Sequence, residues 1–516
     1  MKKKTFVIHP FLLSVYPVLF LYSHNIGQVD FREIFAPIAI IVGIALPVWC
    51  LLGLILKNFR KSGAIVSLFL ILFFTYGCFR TLLPAKAQAL LLPSVWIGLF
   101  VISTFYIIRN KNTFHTTTTV LNAVSGVLIM FPAIGIAVYQ FNNSGLTGRN
   151  GGSEPIQARV DPNSQVNSYP DIYFIILDAY ARQDVLRDMY SYDNSEFLNF
   201  LRGKGFYIAD KSMSNYCQTG LVVGSCLNLS YLDPFVKKIG KYNTNRKPLE
   251  TLIDKSYVVT DLKKRGYESV TFDSECAEMK FPSADIRLKA GVSINTFQNT
   301  LKNLTPLPDI LATKKVNNPF DIYRRNVLHI FESLTDISKL GRKPKFVLAH
   351  IELPHPPFVF GQNGEPVRLE SRFNDHDGDW LIRPGRITKT QYRKSFRDQT
   401  IFTNKQMKKV VNKILSNSKQ PPIIIILGDH GPRSDLIWQN PQKTNMKECL
   451  SNLGAYYFPD GGAEKLYPEI TPVNIFRIVF NHYFHTEFGT LPDKCYFSTA
   501  QHLYKFYDVT ENVQKE

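Results

Sequence analysis

The sequence predicts an α/β protein in two parts: five transmembrane helices, then an outer domain built on a mostly parallel sheet between helices. Three observations carry this expectation. Before residue 142, 11 Lys and Arg stand against 2 Asp and Glu, and long stretches lack charge altogether. From Pro170 onward, short β-branched or aliphatic runs alternate with helical patterns, as in a parallel sheet covered on both faces. With 516 residues, 45% hydrophobic and 20% charged, the chain can bury more than one core and is not a solvated disordered polymer.

The membrane part comes first. Five apolar stretches, Phe6–Tyr22, Ile34–Leu56, Ala64–Phe79, Ala89–Ile108 and Val120–Val138, lie near the roughly 20 residues that a helix needs to cross the hydrocarbon core. The first contains His9, Pro10 and Pro17, and the three lysines before it could equally open a signal peptide. No small-x-small cleavage site follows, so retention is expected. Along an alternating path, Lys2, Lys3, Lys4, Lys57, Arg60, Lys61, Arg109 and Lys111 fall on one side, and Arg32, Arg80 and Lys86 on the other. The positive-inside rule then puts the N-terminus in the cytoplasm and everything after Val138 outside, in a multi-pass protein of the cell membrane. The net charge of +18 is shared between both parts. Neither is a concentrated nucleic-acid-binding block, and a basic chain facing anionic lipid is the simpler reading.

These features divide the chain into a transmembrane domain (1–141), a linker (142–169) and an outer domain (170–516). Asn, Gly, Ser and Pro dominate Asn142–Tyr169, the composition of a flexible tether. Cys50 and Cys78 lie in apolar helices, which leaves five cysteines outside. Cys217 and Cys226 are close enough to bridge a short loop, or they remain unpaired and buried.

In the outer domain, four apolar runs end in polar residues. Ile172–Leu177 leads into Asp178, Ser269–Phe272 into Asp273, Phe346–Ala349 into His350, and Ile423–Leu427 into Gly428-Asp429-His430. Ligand crevices of open α/β sheets lie at the carboxyl ends of strands, so these groups are candidates to converge, although a lone Asp after a strand is more often a helix cap or turn residue. Asp429-His430-Gly431 is more informative, because an adjacent carboxylate and imidazole can ligate a divalent metal while Gly431 permits a tight turn; the alternative is a turn with an exposed histidine. In Leu353–Phe358 (LPHPPF), prolines on both sides of His355 fix the backbone and could hold the imidazole toward a site, or form a rigid surface loop. Within Asn215–Gly220 (NYCQTG), Thr219 is the candidate nucleophile at the start of a possible helix. A threonine hydroxyl needs a base or metal to deprotonate it, and free N–H groups at a helix start would bind phosphate oxygens.

Taken in order, these segments resemble the sulfatase-like branch of the alkaline phosphatase superfamily, especially its membrane-bound lipoteichoic acid synthases and phosphoethanolamine transferases. The matching segments are PDIYFIILDAYARQDVL, SNYCQTGLVVGSCLN, FVLAHIELPHPPFVF, IIIILGDHG, TPVNIFRIVFNHYF and CYFSTAQHLYKFYDVT. The resemblance implies an alkaline-phosphatase-like fold, with metal ligands Asp178, Thr219, Asp429 and His430. It makes Thr219 the nucleophile as well and sets His355 near the substrate or leaving group. Zn2+ or Mn2+ is the expected ion, since it would lower the threonine pKa and neutralise phosphoryl charge. Arg433 could add bidentate contacts to phosphate, or be a solvated loop arginine.

Sulfatases proper need a Cys or Ser in a Cys/Ser-x-Pro/Ala-x-Arg context, which neither Cys217 nor Cys226 has, so sulfate-ester hydrolysis is disfavoured. The expected reaction is transfer of a phosphoryl-linked head group, of the phosphoethanolamine or phosphoglycerol type, from a membrane phospholipid to an envelope glycan or lipid-linked saccharide through a phosphothreonine intermediate. The alternatives are a membrane-anchored phosphoester or sulfuric ester hydrolase, with water as acceptor, and a non-catalytic envelope protein that keeps the fold.

Overall fold

The computed structural model describes residues 5–27, 29–81, 83, 85–143, 169–274, 276–291, 296–312, 318–369 and 377–514. The expected linker lies almost wholly outside them. The chain divides into two compact units, one of residues 1–148 with 294–318, the other of residues 149–293 with 319–516.

The first unit is helical: α1 (His9–His24), α2 (Phe35–Ile55), α3 (Phe59–Thr81), α4 (Ala85–Arg109) and α5 (His115–Asn143). Four stretches, Phe31–Ile55, Phe59–Arg80, Leu91–Arg109 and His115–Phe141, are long and apolar enough to cross a membrane. They display large apolar side chains outward, among them Ile40, Leu54, Ile102 and Phe131, as suits helices solvated by lipid. The expected fifth span, α1, has 16 helical residues, about 24 Å of rise. It buries Leu13, Pro17, Val18 and Tyr22 in the core of the unit. Its unsatisfied first N–H groups are met from α5, where Asn122 Oδ1 accepts from Ile8 N at 3.2 Å and His9 N at 3.0 Å.

A segment from far along the chain belongs to this unit. The short helices Thr296–Asn303 and Leu307–Ala312 pack here, with Phe297 and Leu301 in the same apolar cluster as Leu13, Val18 and Tyr22. Leu304 O accepts from Gly77 N at 2.8 Å. A Cβ at residue 77 would overlap the Asn303 carbonyl, so glycine is what lets the two backbones meet.

The second unit is built on a seven-stranded sheet of β1 (Ile172–Leu177), β2 (Tyr207–Ile208), β3 (Glu268–Phe272), β4 (Ile286–Leu288), β5 (Lys345–Ile351), β6 (Ile423–Gly428) and β7 (Gly454–Tyr457), ordered β2-β7-β6-β1-β5-β3-β4. From β6 through β4 the strands are parallel; β7 runs antiparallel to β6, and β2 antiparallel to β7. Every residue of β1, β5 and β6 is buried, as unbroken apolar runs in a doubly covered sheet require.

The twofold strand period sorts these residues into two cores. Tyr173, Ile175, Val347, Ala349, Ile424 and Ile426 face one side, under the helices Pro319–Leu334 and Lys389–Asn417. Phe174, Ile176, Phe346, Leu348, Ile425 and Leu427 face the other, under Thr219–Leu227 and Pro472–Phe484. By the same alternation His350, two residues after Leu348, falls on the face that the Thr219 helix covers.

Candidate metal centre

Register brings the strand ends level. Ile176 pairs with His350 and Leu177 with Gly428, so Asp178, His350 and Asp429 emerge side by side from β1 and its two neighbours. One ligand atom from each of these buried residues lies within 4.8 Å of the others. His350 Nε2 is 3.3 Å from Asp178 Oδ2, and His430 Nε2 is 3.3 Å from Asp178 Oδ1 and 3.5 Å from Asp429 Oδ2. Backbone N–H groups of Ala179 and His430 each donate to Asp429 Oδ1 at 3.0 Å.

Asp178 Oδ1, His350 Nε2 and Asp429 Oδ2 are buried and accept or donate no hydrogen bond. Two carboxylates and an imidazole left so are costly unless a cation completes them, and mixed nitrogen and oxygen donors suit Zn2+ or Mn2+. The residues present therefore fit a divalent metal. Burial alone would raise the Asp178 pKa, but His355, His350 and His430 outweigh it and hold the carboxyl well below the usual range. Burial would lower that of His350, but the Asp178 contact raises it to about 9. For His430, burial and then Arg433 lower it.

The loop after β6 is fixed by close packing. A Cβ at residue 431 would collide with the Glu448 carbonyl, so Gly431 is required by approach of backbone rather than by a left-handed turn. His430 is buried, not an exposed turn residue, and its Nδ1 lies 2.8 Å from Gly431 O. His355 is half-buried; its backbone N donates to Asp178 O at 3.1 Å, and its ring centroid is 6.1 Å from that of His430. Gln399, fully buried on the long helix Lys389–Asn417, donates to His355 O at 2.9 Å and accepts from Val359 N at 2.9 Å, which pins the proline-rich loop.

Thr219, half-buried, is the first residue of its helix, after Gln218 in extended conformation. The preceding segment is tied to the β6 loop at two points, since Ser214 Oγ donates to the Asp429 carbonyl and Arg433 Nη2 to the Cys217 carbonyl. Beside the helix start, Arg246 pairs with buried Glu278 and donates to Gln218 Oε1 at 3.2 Å.

Some expectations fare differently. Arg433 is no solvated loop arginine: it is buried, paired with Asp377 at 2.8 Å and stacked on Trp438. Asp273 stays out of the cluster and pairs with Arg287 at 3.6 Å, while its neighbour Ser274 reaches His350. The five outer cysteines stand as thiols, so the possible Cys217–Cys226 bridge is not formed. Cys226 packs in the core under the sheet, whereas Cys217 shares a separate cluster with Leu436, Trp438, Cys449 and Cys495. The sequence marks His350 as a strand end and not as a ligand, and it does not single out Glu352 or Gln399. The alternation His350-Ile351-Glu352 was the available signal for two of these, since residues two apart on a strand share a face.

No family model matches the chain, and no curated protein sequence matches it. Solved structures do. One is the C-terminal periplasmic domain of EcEptC from Escherichia coli in complex with Zn, at 8% identity and TM-score 0.43, covering 69% of this chain and 96% of that one. Another is the integral membrane lipooligosaccharide phosphoethanolamine transferase A (EptA) from Neisseria meningitidis, at 13% identity and TM-score 0.37, covering 92% of this chain and 95% of that one. A third is the lipoteichoic acid synthase LtaP from Listeria monocytogenes, at 12% identity and TM-score 0.37, covering 67% and 79% respectively.

Proposed function

We propose that the chain is a metal-dependent phosphotransferase of the cell envelope. It moves a phosphoryl-linked head group of the phosphoethanolamine or phosphoglycerol type from a phospholipid to an envelope glycan or lipid-linked saccharide. The observation that carries this reading is the convergence of Asp178, His350 and Asp429, each with a buried atom that lacks a hydrogen bond, at the ends of three adjacent strands. Asp178, Thr219, Asp429 and His430 are the ligands that the family resemblance implies, and His350 Nε2 joins them. A bound Zn2+ or Mn2+ lowers the pKa of a hydroxyl and neutralises phosphoryl charge.

Thr219 Oγ1 attacks the head-group phosphorus, and a Thr219 O–P bond forms as the P–O bond to diacylglycerol breaks. First-turn N–H groups of the Thr219–Leu227 helix favour the phosphoryl oxygens. His355 Nδ1 lies 2.6 Å from Pro356 O, which leaves Nε2 to carry the threonine's proton to the departing oxygen. In the second half, the acceptor hydroxyl attacks the phosphothreonine, its proton passes to His355, and Thr219 regains one as it leaves. Anchoring serves this chemistry because an amphiphilic donor stays in the bilayer surface. The catalytic unit is read as extracytoplasmic, with α1 as a fifth crossing.

Mass spectrometry of the full-length protein after incubation with Zn2+ and mixed phospholipids tests the reading. A head-group phosphoryl mass on the peptide containing Thr219 is expected, and its size identifies the donor. A protein that releases diacylglycerol while this peptide never gains mass, even in rapidly quenched samples, would overturn the assigned intermediate.

A further inference from the structure

Behind His350 lies a short chain of hydrogen bonds whose direction is fixed. Ser274 Oγ is 2.8 Å from Glu352 Oε1 and 3.1 Å from His350 Nδ1, and it also accepts from Cys276 N at 3.1 Å. Glu352 Oε1 accepts a second bond from Cys276 N at 3.1 Å and lies 4.0 Å from His350 Nδ1. A carboxylate only accepts, so the single hydroxyl proton of Ser274 goes to Glu352. Toward His350, Ser274 Oγ then has only a lone pair to offer, so Nδ1 must carry the hydrogen. In the neutral ring this leaves Nε2 as a lone pair, and Nε2 is the atom that faces Asp178.

We propose that Ser274 and Glu352 are positioning residues that hold His350 in the tautomer whose Nε2 binds the metal, and that they thereby set the preference of the site for zinc over magnesium. This rests on the reading of Asp178, His350 and Asp429 as metal-holding residues. The chemistry is specific: a reversed Ser274 hydroxyl would put the hydrogen on Nε2 and leave an oxygen-dominated set, which discriminates less against hard cations. Ser274 comes from the loop after β3, two strands from β1, so the orienting groups are independent of the strand ends that carry the carboxylates.

The test uses the full-length protein in detergent and measures Zn2+ affinity by competition with a chromophoric chelator, and Mg2+ affinity by its displacement. Ser274→Ala and Glu352→Gln are each expected to weaken Zn2+ binding about 10- to 100-fold, with a much smaller effect on Mg2+. Ser274→Thr, which keeps the hydroxyl, should restore near wild-type Zn2+ affinity. Glutamine at 352 can donate to Ser274 and so permits the reversed chain, which makes that variant diagnostic. Unchanged Zn2+ affinity in both Ser274→Ala and Glu352→Gln, beside a His350→Ala variant that has lost it, would overturn the positioning role and leave His350 a ligand. Unchanged affinity in His350→Ala itself would overturn both. Thermal melting of the metal-free variants identifies loss of fold, and failure of Ser274→Thr to recover selectivity in a folded protein also counts against the proposal.

Discussion

Arg80, near the end of α3, pairs with Asp309 across 3.1 Å, and Asp309 also accepts from Tyr76 Oη at 3.0 Å, although it lies 233 residues beyond Tyr76 in sequence. Asp309 belongs to an excursion of the chain, residues 294–318, that leaves the sheet unit after β4 and returns to it at Pro319. The Arg80 end of α3 thus receives a segment of chain from beyond β4. At the opposite end of the bundle, Thr5 Oγ1 lies 2.6 Å from His115 Nε2, where α5 begins, while Tyr22 stacks edge-on against Phe31 just before α2, at 5.6 Å. Residues 5–22 thus run from the start of α5 to the approach to α2.

From this placement α1 is expected to cross. Reporter fusions at Thr5 and at Gly152 should read opposite compartments. Both on one face would leave four crossings and remove α1 as a span.

Thr219→Ala is expected to lower turnover by at least ~10³-fold with the fold intact, because it removes the nucleophile but few packing atoms. Thr219→Ser should keep measurable activity. Near-normal transfer by the alanine variant in a lipid release assay would displace Thr219 from its role.

Asp429→Asn and His430→Ala should lose metal before chemistry can be assayed. About one Zn2+ or Mn2+ per chain is expected in the wild type after dialysis, measured by elemental analysis, and clearly less in these variants. His355→Ala should retain the metal and slow the reaction by about 10²–10⁴-fold. Loss of metal from His355→Ala would make it a ligand instead.

Arg433→Met should destabilise the second unit by about 3–5 kcal/mol, since it strands buried Asp377 without its counter-ion. The double variant with Asp377→Asn should recover part of that loss in thermal melting. A single variant that melts like the wild type would show the pair to be dispensable.

Away from the centre, Asp285 gives a pH test. Its carboxylate accepts from Lys263 Nζ at 2.9 Å and from Ser269 N and Oγ at 2.9 and 2.7 Å. Burial would raise its pKa, but Lys263 and Ser269 outweigh burial and lower it from 3.8 to about 2. A folded value below the unfolded one means stability that is present above pH 3.8 and fades as pH falls through about 2. Because the carboxylate is largely exposed and screened by solvent, Asp285→Asn is expected to cost about 0.5–1 kcal/mol at pH 7, and the gap in melting temperature should close toward pH 2. A gap that is constant with pH would assign the effect to packing.

Much of the sheet and the residues at its strand ends could be read from the chain alone, because buried parallel strands write themselves as unbroken apolar runs and their ends as the first polar residue. Asp178, His350, Asp429 and His430 are all marked by that rule. What the chain does not state is that His350 joins the carboxylates, since it sits one residue before the end of β5 and its neighbours depend on register with β1. Asp273 obeyed the rule and was misleading: β3 lies one strand further out, next to β4, where Arg287 claims the carboxylate. Arg433 looked like a solvated loop residue because Asp377, its partner, is 56 positions away. Phe297 and Leu301 carry the least signal of all, for TFQNTLKN is an ordinary amphipathic turn or two until a second unit is there to receive it.

The excursion at 294–318 also bears on how the protein behaves when cut. A protease that nicked the chain between Asn143 and Tyr169 would sever the covalent tether, yet the released fragment would still carry Asp309, Phe297 and Leu301, and with them its grip on α3 and α1. Detachment from membranes would then need detergent rather than proteolysis alone. A recombinant fragment that begins at Tyr169 would meet water with Phe297 and Leu301 uncovered, and shortening it across residues 294–318 is the change that should turn a sticky preparation into a dispersed one.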